Sequence, residues 1–108
     1  MPDQSAPMPI EPAWFIEATY APDGAQARVP FRAEHIARLL DLKAAGVVTE
    51  AGAFTDATAT IAIVRAASEE EALALFRDDV YMRNGVWVEI RARPFGRLRE
   101  PGQGAGTG

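Results

Sequence analysis

The spacing of apolar residues changes period several times between Ala13 and Phe95. That succession constrains the fold more than any single motif. AWFIEATY alternates, with Trp14, Ile16, Ala18 and Tyr20 facing one way and Phe15, Glu17 and Thr19 the other, the period of a half-buried strand. APDGAQARV follows, and its Pro22-Asp23-Gly24 is turn chemistry. PFRAEHIARLLDLKAAG then reads as a helix. Pro30 suits its first turn, where a missing N–H costs nothing. Ile36, Leu39, Leu40 and the stem of Lys43 make the expected buried stripe, and Gly46 the stop.

VVTEAGAF and TATIAIVRA read as the second and third strands, joined through Thr55, Asp56 and Ala57, a connection short enough for a hairpin. Ser68 opens a second helix. Ser68-Glu69-Glu70-Glu71 matches a capping box, and its acids suit the positive end of the helix dipole. Ala72, Leu73 and Phe76 form the inner face. DDVYMRNG reads as a helical turn ending at Gly85, and VWVEIRARPF as the last strand. In it Val86, Val88, Ile90 and Ala92 are expected on one side, and Trp87, Glu89, Arg91 and Arg93 on the other. The order β-α-β-β-α-β is that of the ferredoxin-like α+β split unit.

In that unit both helices cover one face of an antiparallel sheet. The other face is then expected to show Phe15, Glu17, Thr19, Trp87, Glu89 and Arg91. Phe and Trp on a bare sheet face call for cover, while the charges make it too polar for a dry core. A second copy packed across a partly wet cavity meets both conditions. A domain this small buries a modest fraction of its surface alone, which adds to the case for a homodimer.

Composition narrows the function. The 108 residues fit one domain, expected over 13–95, with the Pro-rich and polar segment 1–12 and the segment 96–108, ending PGQGAGTG, as flexible tails. A net charge of -4 argues against a nucleic-acid partner. No apolar stretch is long enough to cross a bilayer, so no membrane partner is expected. MPDQSAPMPIEP lacks the basic start and apolar run of a secretory signal, and a cytoplasmic location follows by default. No cysteine is present, so thiol and disulfide chemistry is out, and a single histidine makes a dedicated metal site improbable. Glycine-rich phosphate loops are missing from the domain; no cofactor is expected.

The chain resembles YciI-like (YCII-related) proteins over Ala13 to Phe95. The resemblance rests on R-x-x-H at Arg32 to His35, the helix-ending Gly46, A-G-x-x-x-D at Ala51 to Asp56, and the run EEEALALFRDDVYMRNGVWVEIRARPF. The chain departs from the family at two points. Asp79-Val80-Tyr81 stands where Asp-Pro-Phe is frequent, and Gly52-Ala53 where Gly-Pro is frequent. The resemblance implies a dimeric α/β barrel and a His-Asp pair carried over to His35 and Asp56. It also implies a relation to a few enzymes that act on small aromatic or lactone-like compounds, including by dehydrochlorination.

Chemistry is compatible with that pair. An imidazole takes and returns protons near neutral pH. Asp56 would fix the tautomer of His35 and stabilise the imidazolium. The plainer reading is a boundary histidine bonded locally. Arg32 is a candidate for bidentate binding of a substrate carboxylate, or else a solvated or Asp56-paired arginine. Phe15 and Trp87 are candidates to line an aromatic pocket, or else dimer packing. Asp78 and Asp79 read as caps or surface charge, with Arg83 as a partner. Two functions stay open. One is a cofactor-independent lyase or isomerase acting through His35 on a small molecule, aromatic ones included. The other is a non-catalytic dimer that binds a small molecule or modulates a partner. A cofactor-free oxygenase would use the same barrel, but no residue singles it out.

Overall fold

The four alternating segments pair into one antiparallel sheet. The computed structural model describes residues 8–99, with β1 at Ile10–Tyr20, β2 at Val48–Ala53, β3 at Ala59–Val64 and β4 at Trp87–Leu98. Sheet order is β2-β3-β1-β4. The helices are α1 (Gly24–Ala27), α2 (Arg32–Ala44, led in by a 3-10 turn at Val29–Phe31), α3 (Glu69–Arg77) and α4 (Val80–Arg83). This is the expected ferredoxin-like α+β order, with α1 and α4 as short additions. Ser68 caps α3 as expected, its Oγ accepting from the Glu71 N–H at 3.1 Å. Among the described residues no helix is long and apolar enough to cross a membrane.

Cross-strand register sets the two faces. Ile16 pairs with Ala62 and Ala92, and Ile16, Ala18, Ala62 and Val64 are buried with Ala72, Phe76, Val80, Tyr81 and Val86 in one core. Burying a side chain the size of Ile16 or Phe76 is worth about 1.5–3 kcal/mol, so this layer holds the helices to the sheet. Phe15, opposite Ile63, and Glu17, opposite Ile61, lie on the other face with Arg91 and Arg93.

Three expectations need correction. The β1–β4 ladder runs out to Ile10 opposite Leu98, so Ile10 to Pro12 and Gly96 to Leu98 are paired strand and not tail. Ion pairing fastens this ribbon: Glu11 accepts from Arg65 at 3.1 Å and from Arg97 at 2.7 Å. The Arg65 hydrogen bond and then Arg97 hold its carboxyl below the usual value, against the cost of partial burial. The remaining parts of both expected tails, apart from Met8, Pro9 and Arg99, lie outside the described residues.

The stripe of α2 is turned by about one residue. His35 is its buried residue, while Ile36 and Leu40 are 43% and 61% exposed. Phe31 and Leu42 pack against the core beside it. A histidine can occupy that place because a buried acid meets it, as described below.

The third correction is a bulge. Thr19 faces Glu89, but Tyr20 faces Trp87, so β4 carries one extra residue, Val88, at that point. A one-residue slip exchanges the faces of a strand. Val88 is therefore exposed, and Trp87 is buried under the helices instead of sharing the open face with Phe15.

Candidate active site

Asp79 organises the site. It ends the connection from α3 and caps α4, its Oδ1 accepting from the Tyr81 N–H at 2.9 Å. The same oxygen accepts from His35 Nδ1 at 2.8 Å. Its other oxygen accepts from Arg38 Nη1 at 3.2 Å, and Arg38 Nη2 donates to the Leu75 carbonyl at 2.6 Å. His35 and Arg38 are three apart on α2 and so share one flank of it. Burial opposes the charge on Asp79, but the hydrogen bonds from His35 and the Tyr81 N–H, with the charge of Arg38, hold its carboxyl below the usual value.

An ionised carboxylate only accepts, so Nδ1 carries the hydrogen in this pair. A neutral His35 then presents Nε2 as a lone pair. Nε2 has no hydrogen-bond partner among the described residues, and Trp87 Nε1 is the buried side-chain polar atom that lacks one there. Aromatic rings fix the imidazole plane. Tyr81 stacks on it at 3.7 Å and 11°, and Trp87 meets it at 5.2 Å and 88°. Phe76 stacks on Trp87 from behind at 5.4 Å.

Beyond Tyr81 a cavity of about 350 Å³ opens between the start of α2 and the β2–β3 hairpin. Tyr20 and Tyr81 line it with Arg28, Arg32, Ile36 and Phe54. The Arg28 guanidinium lies over the Tyr20 ring, 5.9 Å from its centroid. Burial, with Tyr20 adding, pushes the Tyr81 phenol above its ordinary value, against the opposing fields of Arg28 and Arg32.

Of the residues singled out from sequence, His35 stacks on Tyr81 and Arg32 lines the cavity with Tyr81. Asp56 does not join them. Its Oδ1 accepts from Thr58 N at 3.1 Å and Thr58 Oγ1 at 2.6 Å, a local turn bond at the hairpin tip, so the acid paired with His35 is Asp79. Arg83 reaches Glu34 and the Asp78 carbonyl instead of Asp79. Phe15 lies on the open face, 6.4 Å from Phe95, and Trp87 backs His35 from the core. Asp79, Arg38, Arg28, Tyr20 and Tyr81 were missed as site residues. One signal did point to Asp79: it begins the Asp79-Val80-Tyr81 segment that aligns with the family's Asp-Pro-Phe.

The sheet order β2-β3-β1-β4 with its helices is that of a ferredoxin-like α+β domain, and the YCII-related domain matches residues 13–96. The chain belongs to that family. Among solved structures it is similar to 5-chloro-2-hydroxyhydroquinone dehydrochlorinase from Burkholderia phenoliruptrix, in complex with 2,5-dihydroxybenzoquinone. The two are 22% identical, with a TM-score of 0.67 over 77% of this chain and 92% of that one. At that identity the likeness establishes the fold. No curated protein matches the chain.

Proposed function

We propose that the protein is a small-molecule enzyme of the lyase or isomerase type, in which His35 moves protons and Asp79 orients it. The observation that carries this reading is the one-sided engagement of the imidazole. Nδ1 is committed to a buried carboxylate at 2.8 Å, and Nε2 has no partner among the described residues. Such a base takes a proton from a C–H or O–H acid, and the electron pair left behind expels a leaving group or shifts into an enol. Asp79 offsets the charge gained by the ring. Arg32, beside the cavity, is the substrate-binding residue in this scheme. The dehydrochlorinase with the similar fold acts on a small aromatic compound by its name, which supports the substrate size and reaction type. No cofactor enters the scheme.

The working unit in this proposal is a homodimer. Phe15, Ile61 and Ile63 sit on the open sheet face among Glu17, Glu89, Arg91 and Arg93. A second copy would cover the apolar centre and leave the charges at a wet margin.

A second reading is a non-catalytic binding module. His35 is 3% exposed, and its bond to Asp79 ties α2 to α4, which suits a structural histidine.

The deciding experiment follows solvent-proton exchange into small hydroxyquinones and lactones by NMR, with chloride release from chlorinated hydroquinones measured alongside. The enzyme reading expects catalysis that falls by about 100-fold or more in His35→Gln. Catalysis untouched by that change, or none with any of these compounds while they still bind, favours the binding module.

A further inference from the structure

We propose that the cavity beneath Arg28 and Arg32 is an anion subsite, which selects flat single-ring compounds carrying a carboxylate or an equally acidic enol. The inference rests on the reading above, that small molecules enter beside the His35–Tyr81 stack, and it names their class. Arg28 is the new element, since nothing in the spacing of the chain marks it.

Three observations converge. First, four other arginines already have acidic partners. Arg38 engages Asp79, Arg65 engages Glu11, Arg77 engages Glu70 and Arg83 engages Glu34. The chain has a net charge of -4, so acids are plentiful. Yet neither Arg28 nor Arg32 has an ion pair or a hydrogen bond from its guanidinium among the described residues, and both line the same cavity. Two like charges left facing one hollow repel each other unless an anion enters.

Second, the cavity has the size and lining for a ring. About 350 Å³ is at the low end for ligand sites, which suits one ring with substituents. Tyr20, Tyr81 and Phe54 offer aromatic surface, and Ile36 an aliphatic wall. The exposure of Ile36, unexpected for the apolar side of α2, has an explanation if a flat ligand packs on it.

Third, the local polarity favours an anion. The Tyr81 phenol is held in its neutral form by burial, so it donates a hydrogen bond and does not repel a carboxylate. The Arg28 guanidinium, laid over Tyr20, is held in place with its N–H edge available for a bidentate contact.

The test compares 4-hydroxybenzoate with neutral 4-hydroxybenzamide, titrated into the full chain by heteronuclear NMR. Wild type, Arg28→Gln, Arg32→Gln and His35→Gln are measured. Arg32 is exposed and Arg28 half-buried with no ion pair among the described residues, so their variants should fold. The expected result is that the carboxylate binds about tenfold or more tightly than the amide. Each arginine change should remove most of that preference and leave amide binding alone, while His35→Gln keeps it. Equal binding of the two probes, a preference that survives both arginine changes, or no carboxylate-induced shift at Tyr81 up to about 10 mM overturns the proposal. The two readings fail separately: lost preference with His35-dependent catalysis sinks only the subsite, and a kept preference with His35-independent catalysis sinks only the proton transfer.

Discussion

His35 Nδ1 and Asp79 Oδ1 lie 2.8 Å apart, although 44 positions of chain separate them. The bond joins the first turn of α2 to the cap of α4 in the buried layer above the sheet. Asp79 is fully buried and serves His35, Arg38 and the Tyr81 N–H at once. Removing any one partner leaves the others with an imperfectly compensated buried charge, so the cluster should respond to mutation as a unit.

Asp79 should therefore be the most sensitive polar position. Asp79→Ala is expected to cost about 3–5 kcal/mol, because it strips the buried partners of His35 and Arg38 together. Urea denaturation at neutral pH measures this, and a loss below about 1 kcal/mol would mean that the cluster rearranges freely.

Acid unfolding carries the same signature. The folded Asp79 carboxyl lies below its ordinary value, so its contribution is complete above the unfolded value of about 4 and is lost as pH falls through the folded value. Asp79→Asn should flatten the fall of stability with pH below about pH 4. Unfolding midpoints taken as a function of pH check it, and an unchanged slope would contradict it.

His35→Ala should destabilise the protein by about 1–3 kcal/mol, since it unpairs a buried acceptor and opens space beside Tyr81 and Trp87. Taken from the sequence, His35 reads as a residue at the rim of the buried face, whose loss costs little stability if the site is solvated. Its 3% exposure reverses that expectation. A melting temperature equal to wild type would restore the rim picture.

The element order was legible because it rests on period. Switches between alternation and helical spacing survive any detail of packing, and turn residues such as Gly46 and Gly85, at φ +80° and +72°, mark the ends. What failed was rotational and long-range. Spacing cannot distinguish Ile36 from His35 as the inner residue when the acid that permits a buried histidine lies elsewhere in the chain. Nor does alternation reveal the extra residue at Val88, so alternation alone assigns Trp87 to the open face. Asp56 offered a plausible acid at a strand end, but its own neighbour Thr58 takes the carboxylate.

Gly24 is tied to the cavity through Tyr20. A Cβ at Gly24 would stand 2.6 Å from Tyr20 Cδ2 and 2.9 Å from Tyr20 Cβ. Gly24→Ala should cost about 1–3 kcal/mol by overpacking and weaken carboxylate binding as Tyr20 shifts. Gly52→Ala, with nothing within 4 Å, is the control, expected within about 0.5 kcal/mol of wild type. Equal effects from both would contradict the assignment.

Self-association is tested on the open face. Ile63→Glu places a carboxylate opposite Phe15 and should yield a monomer in sedimentation where the parent chain is dimeric. A parent chain that stays monomeric at micromolar concentration contradicts the dimer.

The central claim is that Asp79 holds His35 as the Nδ1–H tautomer with Nε2 presented as the base. His35 is the single histidine, so one pair of imidazole ¹⁵N resonances reports on it. At a pH where the ring is neutral, the account predicts a protonated Nδ1, an unprotonated Nε2, and a shift of Nε2 when 4-hydroxybenzoate is added. A neutral ring protonated at Nε2, with Nδ1 bare toward Asp79, would contradict it.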